Sequence, residues 1–188
     1  MLSFLKCVCF IVCKVLFFVK PVNIENVPKE GAVILAANHT SLWDPIVLIP
    51  LFKRKMRVMA KKELMKNPFL RKILEIAYAI PVDRGKSDIT AIKTALKTLK
   101  DGEMFGIFPS GTRVKDGEDA DAKTGVALIS SRSGAPVVPV AIRGGYKPFC
   151  RVTVYFGEPV IPEEKKLSAD ELKDYADMIM EKIEELGK

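Results

Sequence analysis

The sequence predicts a single α/β domain with a mostly parallel or mixed central sheet flanked by helices, and three observations carry that prediction. Short continuous apolar runs alternate with segments of helical period from residue 21 onward. The runs are apolar throughout, as strands covered on both faces are. Helix-start and helix-stop residues bracket the segments between them. A length of 188 residues, 48% hydrophobic and 28% charged, suits one folded domain with a sizeable core.

Residues 31–37 (GAVILAA) form an apolar run bounded by glycine and Asn38, and read as a buried strand. Residues 45–52 read as a short helix opened by Pro45, and 57–60 as a short strand. Residues 67–76 have helical character, and 77–82 read as a strand. Ser87 is placed to cap a helix whose apolar positions are Ile89, Ile92, Leu96 and Leu99, with Gly102 ending it. A strand over 104–108, a helix over 125–133 and strands over 137–142 and 151–156 follow, the last alternating Val152, Val154 and Phe156. Ser168 and Glu171 form a capping box before a final helix with Leu172, Tyr175, Ile179, Ile183 and Leu186 on one side. No internal repeat, low-complexity segment or long linker interrupts the pattern.

Residues 1–20 stand apart as an apolar N-terminal helix preceding a domain over 21–188. Lys14 interrupts the apolar part and no small-residue cleavage site follows, against a signal peptide. At 100° per residue Lys6, Lys14 and Lys20 fall within an arc of about 120°. A helix lying in a membrane interface with its lysines toward head groups fits that arc. A helix buried on the domain and a true span are the alternatives. The net charge of +7 is concentrated: residues 53–72 carry nine basic residues against Glu63 alone. Such a run matches an anionic partner surface, or else a solvated charged face. Few aromatics lie among these basic residues, and no nucleic-acid module is recognisable, so nucleic acid is not expected as a partner. The four cysteines show no C-x-x-C pair, so neither a zinc site nor a disulfide framework is expected, and a reducing compartment fits.

The candidate chemistry lies in loops that follow strands, where sites gather in such sheets. The single histidine, His39, precedes Asp44 by five positions. Imidazole exchanges protons near neutral pH, and a carboxylate can hold its tautomer and stabilise the imidazolium. A regular helix would set the two on different faces, so the pair can meet only if the segment bends, and Pro45 favours a bend at Asp44. Alternatively, Asp44 is an N-cap, or forms a capping box with Ser41, and His39 is structural. In residues 108–113 (FPSGTR), Gly111 permits close backbone approach, Thr112 offers a hydroxyl and Arg113 a fork that matches phosphate. Arg84 stands beside Gly85 in a similar loop. Taken singly, these are ordinary turns with exposed arginines.

Together the loops resemble a family. Residues 38–45 (NHTSLWDP) resemble the first motif of the glycerolipid acyltransferases, the family of 1-acyl-sn-glycerol-3-phosphate acyltransferase. Residues 80–84 (IPVDR) resemble the second motif, 108–113 the third, and 138–142 (VPVAI) the fourth, all in family order within about residues 20–160. Two positions depart from the pattern: Ser110 stands where the family usually has glutamate, and Ala79 where the second motif usually has glycine. The resemblance implies transfer of an acyl group from acyl-CoA or acyl-acyl carrier protein to the free hydroxyl of lysophosphatidic acid, forming phosphatidic acid. It implies His39 as general base oriented by Asp44, and Arg84, Gly111, Thr112 and Arg113 as acceptor-phosphate ligands. No cofactor and no metal are implied. The implied partner surface is membrane lipid, and the implied location is the cytoplasmic face of the cell membrane, peripheral or monotopic. Ser110 leaves open acylation of another lysophospholipid. A lipid thioesterase or hydrolase, and a non-enzymatic lipid binder, are the remaining alternatives.

Overall fold

The computed structural model describes residues 17–68, 71, 74–75, 78–82, 89–111, 124–147, 149–163, 165 and 167–188. Seven strands form one mixed sheet: β1 (Phe17–Val22), β2 (Val33–Ala37), β3 (Met56–Lys61), β4 (Ile80–Val82), β5 (Met104–Ile107), β6 (Val137–Gly144) and β7 (Cys150–Phe156). Their spatial order is β1-β7-β6-β2-β5-β3-β4. Strands β6, β2, β5, β3 and β4 run parallel, β7 pairs antiparallel with β6, and β1 pairs parallel with β7.

Strand β2 shows why its run is apolar throughout. Val33, Leu35 and Ala37 join one core layer with Val47, Leu48 and Phe52, from the short helix α1 (Asp44–Leu48) and the 3-10 turn after it. Ile34 and Ala36 join the opposite layer. That second layer also holds Ala91, Ala95 and Leu99 of α2 (Ile89–Lys100), Val126 and Ile129 of α3 (Gly125–Ser133), and Ile179 and Ile183 of α4 (Ala169–Glu185). Every residue of β2 is therefore buried, each large one contributing about 1.5–3 kcal/mol relative to exposure.

The expected elements appear with shifted ends. The strand expected over 77–82 forms at Ile80–Val82. Within 67–76, Pro68, Arg71, Leu74 and Glu75 are helical. The Ser168–Glu171 capping box is formed in both directions, and Gly102 ends α2 with φ 72° while donating to Leu99 O. Ile89 is corrected: it is 63% exposed at the first turn of α2, and small Ala91 and Ala95 make the close contact instead. The Ser87 cap lies outside the described residues.

The expected N-terminal helix is corrected at its end. Residues 17–20 belong to β1, where Phe17 is buried and Val19 packs on the core while Phe18 and Lys20 face outward. That is a strand's period of two, and Pro21 is tolerated because β1 is an edge strand. Residues 1–16 lie outside the described residues. No helix among the described residues is long and apolar enough to cross a membrane.

Candidate active site

The C-terminal ends of the five parallel strands define one edge of the sheet, and the loops after β2, β5 and β6 meet there. Strand β2 ends at Ala37, but Asn38 continues its ladder through its side chain. The Asn38 amide donates to Ile142 O at 3.0 Å, and Ile142 N donates back to Asn38 Oδ1 at 2.7 Å. The chain is thereby pinned to β6 as it turns out of the sheet into residues 39–43.

Asp44 opens α1 and folds back over that turn. Its Oδ2 accepts from Thr40 N, Ser41 N and His39 Nδ1, each at 2.8 Å. Its Oδ1 accepts from the Tyr146 hydroxyl at 2.5 Å. Asp44 is 0% exposed and His39 8%. Oδ2 already accepts from two backbone N–H groups and an ionised carboxylate can only accept, so the tautomer that makes the third contact a hydrogen bond is the one with hydrogen on His39 Nδ1. The lone pair of the neutral ring then resides on Nε2, as a general base requires. Asp44 is not the N-cap, since it lies inside α1 and Trp43 precedes it. The Ser41 alternative is formed in part: Ser41 N donates to Asp44 Oδ2 and Ser41 Oγ accepts from Trp43 N, and the same carboxylate also holds His39.

The imidazole is also held by its face. Phe108, just past β5, stacks on it with centroids 4.3 Å apart and planes 27° apart. Beyond Phe108 the chain turns, with Gly111 N donating to Phe108 O at 2.9 Å and Gly111 at φ 67°. That left-handed conformation explains the glycine. It also commits the Gly111 N–H to the turn, so an oxyanion donor must come from another group. Ser110 in the same turn is buried.

The structure therefore brings His39, Asp44 and Gly111 to one edge. Arg84, Thr112 and Arg113 lie outside the described residues. Their flanks are defined: residues 108–111 lead into 112 from β5, next to β2, and β4 leads into 84 with β3 between it and β5. Three strand spacings, about 14 Å, separate β2 from β4. Among the described residues no group of three or more His, Cys, Asp or Glu side chains is arranged to hold a metal.

Two contributors were not anticipated from sequence. Phe108 was part of a motif, but nothing local announced its ring beneath His39. Tyr146 is 102 residues from Asp44 and arrives through the β6–β7 hairpin. The available signal was the Gly144-Gly145 pair: Gly144 has φ 107°, and a Cβ there would lie 2.3 Å from Arg151 O.

The basic run over 53–72 divides along β3. Before the strand and at its start, Arg54 donates to Pro28 O, Gly31 O and Gly102 O, while Lys55 and Arg57 share Glu103. After it, Lys61, Lys62 and Lys66 are exposed at the edge that carries His39. That edge also exposes Leu42 (56%), Trp43 (38%) and Phe149 (70%).

The chain is similar to known proteins over most of its length. Residues 19–143 match the family model described as Acyltransferase. The chain is 36% identical over 164 residues to the 1-acyl-sn-glycerol-3-phosphate acyltransferase of Bacillus subtilis, spanning 80% of this chain and 81% of that one. It is 31% identical over 175 residues to the protein of the same name from Streptococcus pneumoniae, spanning 88% of this chain and 65% of that one. The crystal structure of the 1-acyl-sn-glycerophosphate acyltransferase from Thermotoga maritima superposes with a TM-score of 0.71 at 30% identity. The match covers 98% of this chain and 78% of that one.

Proposed function

The chain belongs to the 1-acyl-sn-glycerol-3-phosphate acyltransferase family, and we propose that it transfers an acyl group from an acyl thioester to the free hydroxyl of 1-acyl-glycerol-3-phosphate, forming phosphatidic acid. The observation that carries this reading is the buried pair in which Nδ1 of the chain's single histidine lies 2.8 Å from Asp44 Oδ2.

His39 Nε2 takes the acceptor's hydroxyl proton as the oxygen attacks the thioester carbonyl carbon. The Asp44 charge faces the imidazolium that forms. The tetrahedral intermediate collapses as the carbon–sulfur bond breaks. The imidazolium gives its proton to the departing sulfur, leaving an ester, a free thiol and neutral His39. Base catalysis of this kind is worth about 10²–10⁴-fold. Arg84, Thr112 and Arg113 are assigned to the acceptor phosphate, with Gly111 shaping the turn that leads into them: a fork of N–H donors and a hydroxyl suit its oxygens. The thioester, on coenzyme A or acyl carrier protein, is a substrate, and no resident cofactor takes part. Ser110 cannot supply the charge of the glutamate usual at its position, so the acceptor head group is the feature most open to variation.

The substrate chemistry fits a membrane surface as partner, with the protein peripheral or monotopic at the cytoplasmic face. Exposed Leu42, Trp43 and Phe149 beside Lys61, Lys62 and Lys66 support that orientation. Apolar side chains enter the lipid boundary, and each basic residue near an anionic leaflet adds about 1 kcal/mol.

The test is an assay of purified protein with a panel of lysolipids and both thioester carriers, products being identified by mass. Phosphatidic acid from lysophosphatidic acid is expected, and its loss in His39→Ala with the fold intact. Thioester hydrolysis without dependence on any lysolipid would replace transfer by a hydrolase.

A further inference from the structure

Asp44 is held from two sides, and the reaction above uses only one. Its Oδ2 is fixed to the His39–Ser41 turn by three donors. Rotation about Cβ–Cγ moves both carboxylate oxygens together, so a partner on Oδ1 also restrains Oδ2. That partner is the Tyr146 hydroxyl, 2.5 Å from Oδ1. We infer that Tyr146 is a positioning residue for the acyl transfer, acting through Asp44 to hold the imidazole of His39. This rests on the general-base role given to His39 above. Tyr146 lies beyond residues 19–143, the segment that carries the family match.

The phenol is itself aimed. The Asn38–Ile142 bonds fix β6 four residues before Tyr146. Gly144 lets the hairpin pass against Arg151 O where any Cβ would collide. The tyrosine ring then stands edge-on to Phe17, with centroids 5.4 Å apart and planes at 90°. Phe17 is 3% exposed and makes a second edge contact, at 5.3 Å, with Trp43, the residue before Asp44. One buried ring at the start of β1 thus braces both the donor to Oδ1 and the backbone that carries the carboxylate. Edge-to-face pairs of this kind stabilise beyond the burial of their area.

The donor is uncharged, and that matters for its role. A phenol orients the carboxylate without cancelling its charge, which stays available to the imidazolium formed as the acceptor loses its proton. A hydrogen bond to a charged group is worth more than a neutral one, so its loss is expected to appear as about a tenfold or greater fall in rate.

Tyr146→Phe keeps the ring on Phe17 and removes only the hydroxyl. In the full-length protein, kcat should fall at least about tenfold, KM for acceptor and thioester should stay within about twofold, and the thermal midpoint should barely move. Because the chain has one histidine, nitrogen-15 labelling of histidine gives one imidazole spectrum. The parent should show hydrogen on Nδ1, and Tyr146→Phe should move those resonances toward a mixture of tautomers. A kcat within twofold of the parent, or imidazole resonances that superpose on the parent's, would overturn the inference. The spectrum needs no substrate. Parent protein inert toward lysophosphatidic acid would therefore refute the proposed reaction, while the resonances still decide whether Tyr146 holds the dyad.

Discussion

The two edges of the sheet handle a carboxylate in opposite ways. At the N-terminal edge Glu103 meets two full cations, Lys55 Nζ at 2.5 Å and Arg57 Nε at 2.8 Å. At the C-terminal edge Asp44 meets two backbone N–H groups, a phenol and one imidazole. The first arrangement cancels charge and ties β3 to the turn before β5. The second orients charge and leaves it uncancelled. A carboxylate that must answer a positive charge formed during turnover has to be surrounded by neutral donors, and a carboxylate that serves only the fold does not. Lys55 and Arg57 also lie against the Tyr78 ring, at 4.6 and 5.7 Å from its centroid, so the cations of the first edge are engaged twice.

The sharpest way to break this contrast is to neutralise each carboxylate in turn. Asp44→Asn should lower kcat by about 10²–10⁴-fold, since an amide can neither take all these donors nor balance an imidazolium. Glu103→Gln should leave kcat within about twofold and lower stability by about 1 kcal/mol, because the pair is partly exposed. Both are read from steady-state kinetics beside thermal melts. Equal losses of kcat in the two variants would erase the distinction between the edges.

A second contrast is apolar. Phe149 is 70% exposed at the His39 edge. If that edge meets lipid, Phe149→Ser should weaken partition onto vesicles containing anionic lipid by about tenfold or more, from a transfer term of about 1.5–3 kcal/mol. Ile161, equally exposed but past β7 where Val160 bridges Val137 at the far edge, should tolerate Ile161→Ser without change. Sedimentation of both variants with vesicles decides the orientation, and a matching loss from Ile161→Ser would reverse or abolish it.

What the sequence made legible was local. His39 and Asp44 are five positions apart, so their spacing showed that the two could meet only if the segment bent, and Pro45 favoured that bend. The apolar run of β2 announced a strand covered on both faces. Tyr146 was illegible because its partner is 102 residues away, and which loops meet across a sheet depends on strand order rather than on local pattern. Strand β1 was misread for the same reason. Lys6, Lys14 and Lys20 fit a helical arc, and the deciding interaction is pairing with β7, Phe17 opposite Cys150, on a segment far along the chain. The basic run over 53–72 looked like one patch, and only the passage of β3 through it separates structural Arg54, Lys55 and Arg57 from exposed Lys61, Lys62 and Lys66.

The smallest effect expected is electrostatic and belongs to the structural side of the comparison. Helix α4 runs from the N-terminal edge, where Ser168 caps it, to the C-terminal edge, where Arg143 donates to Leu186 O and Glu184 O. The Ser168 backbone N–H, then Lys165 and the Ser168 hydroxyl, bring the Glu171 carboxyl from its ordinary 4.5 down to about 2. A group depressed on folding stabilises the fold above its unfolded value, and that contribution fades as pH falls through the folded value. Glu171→Gln keeps the capping geometry and removes the charge. The parent should therefore melt slightly higher than the variant above about pH 4.5, and the gap should close as pH falls toward 2. Activity at neutral pH should be the same in both, since the helix start is remote from Asp44. A gap that widens on acidification would show that Glu171 is not held by these partners. A loss of kcat would show that charge at the far edge reaches the dyad, and the division of labour between the edges would have to be redrawn.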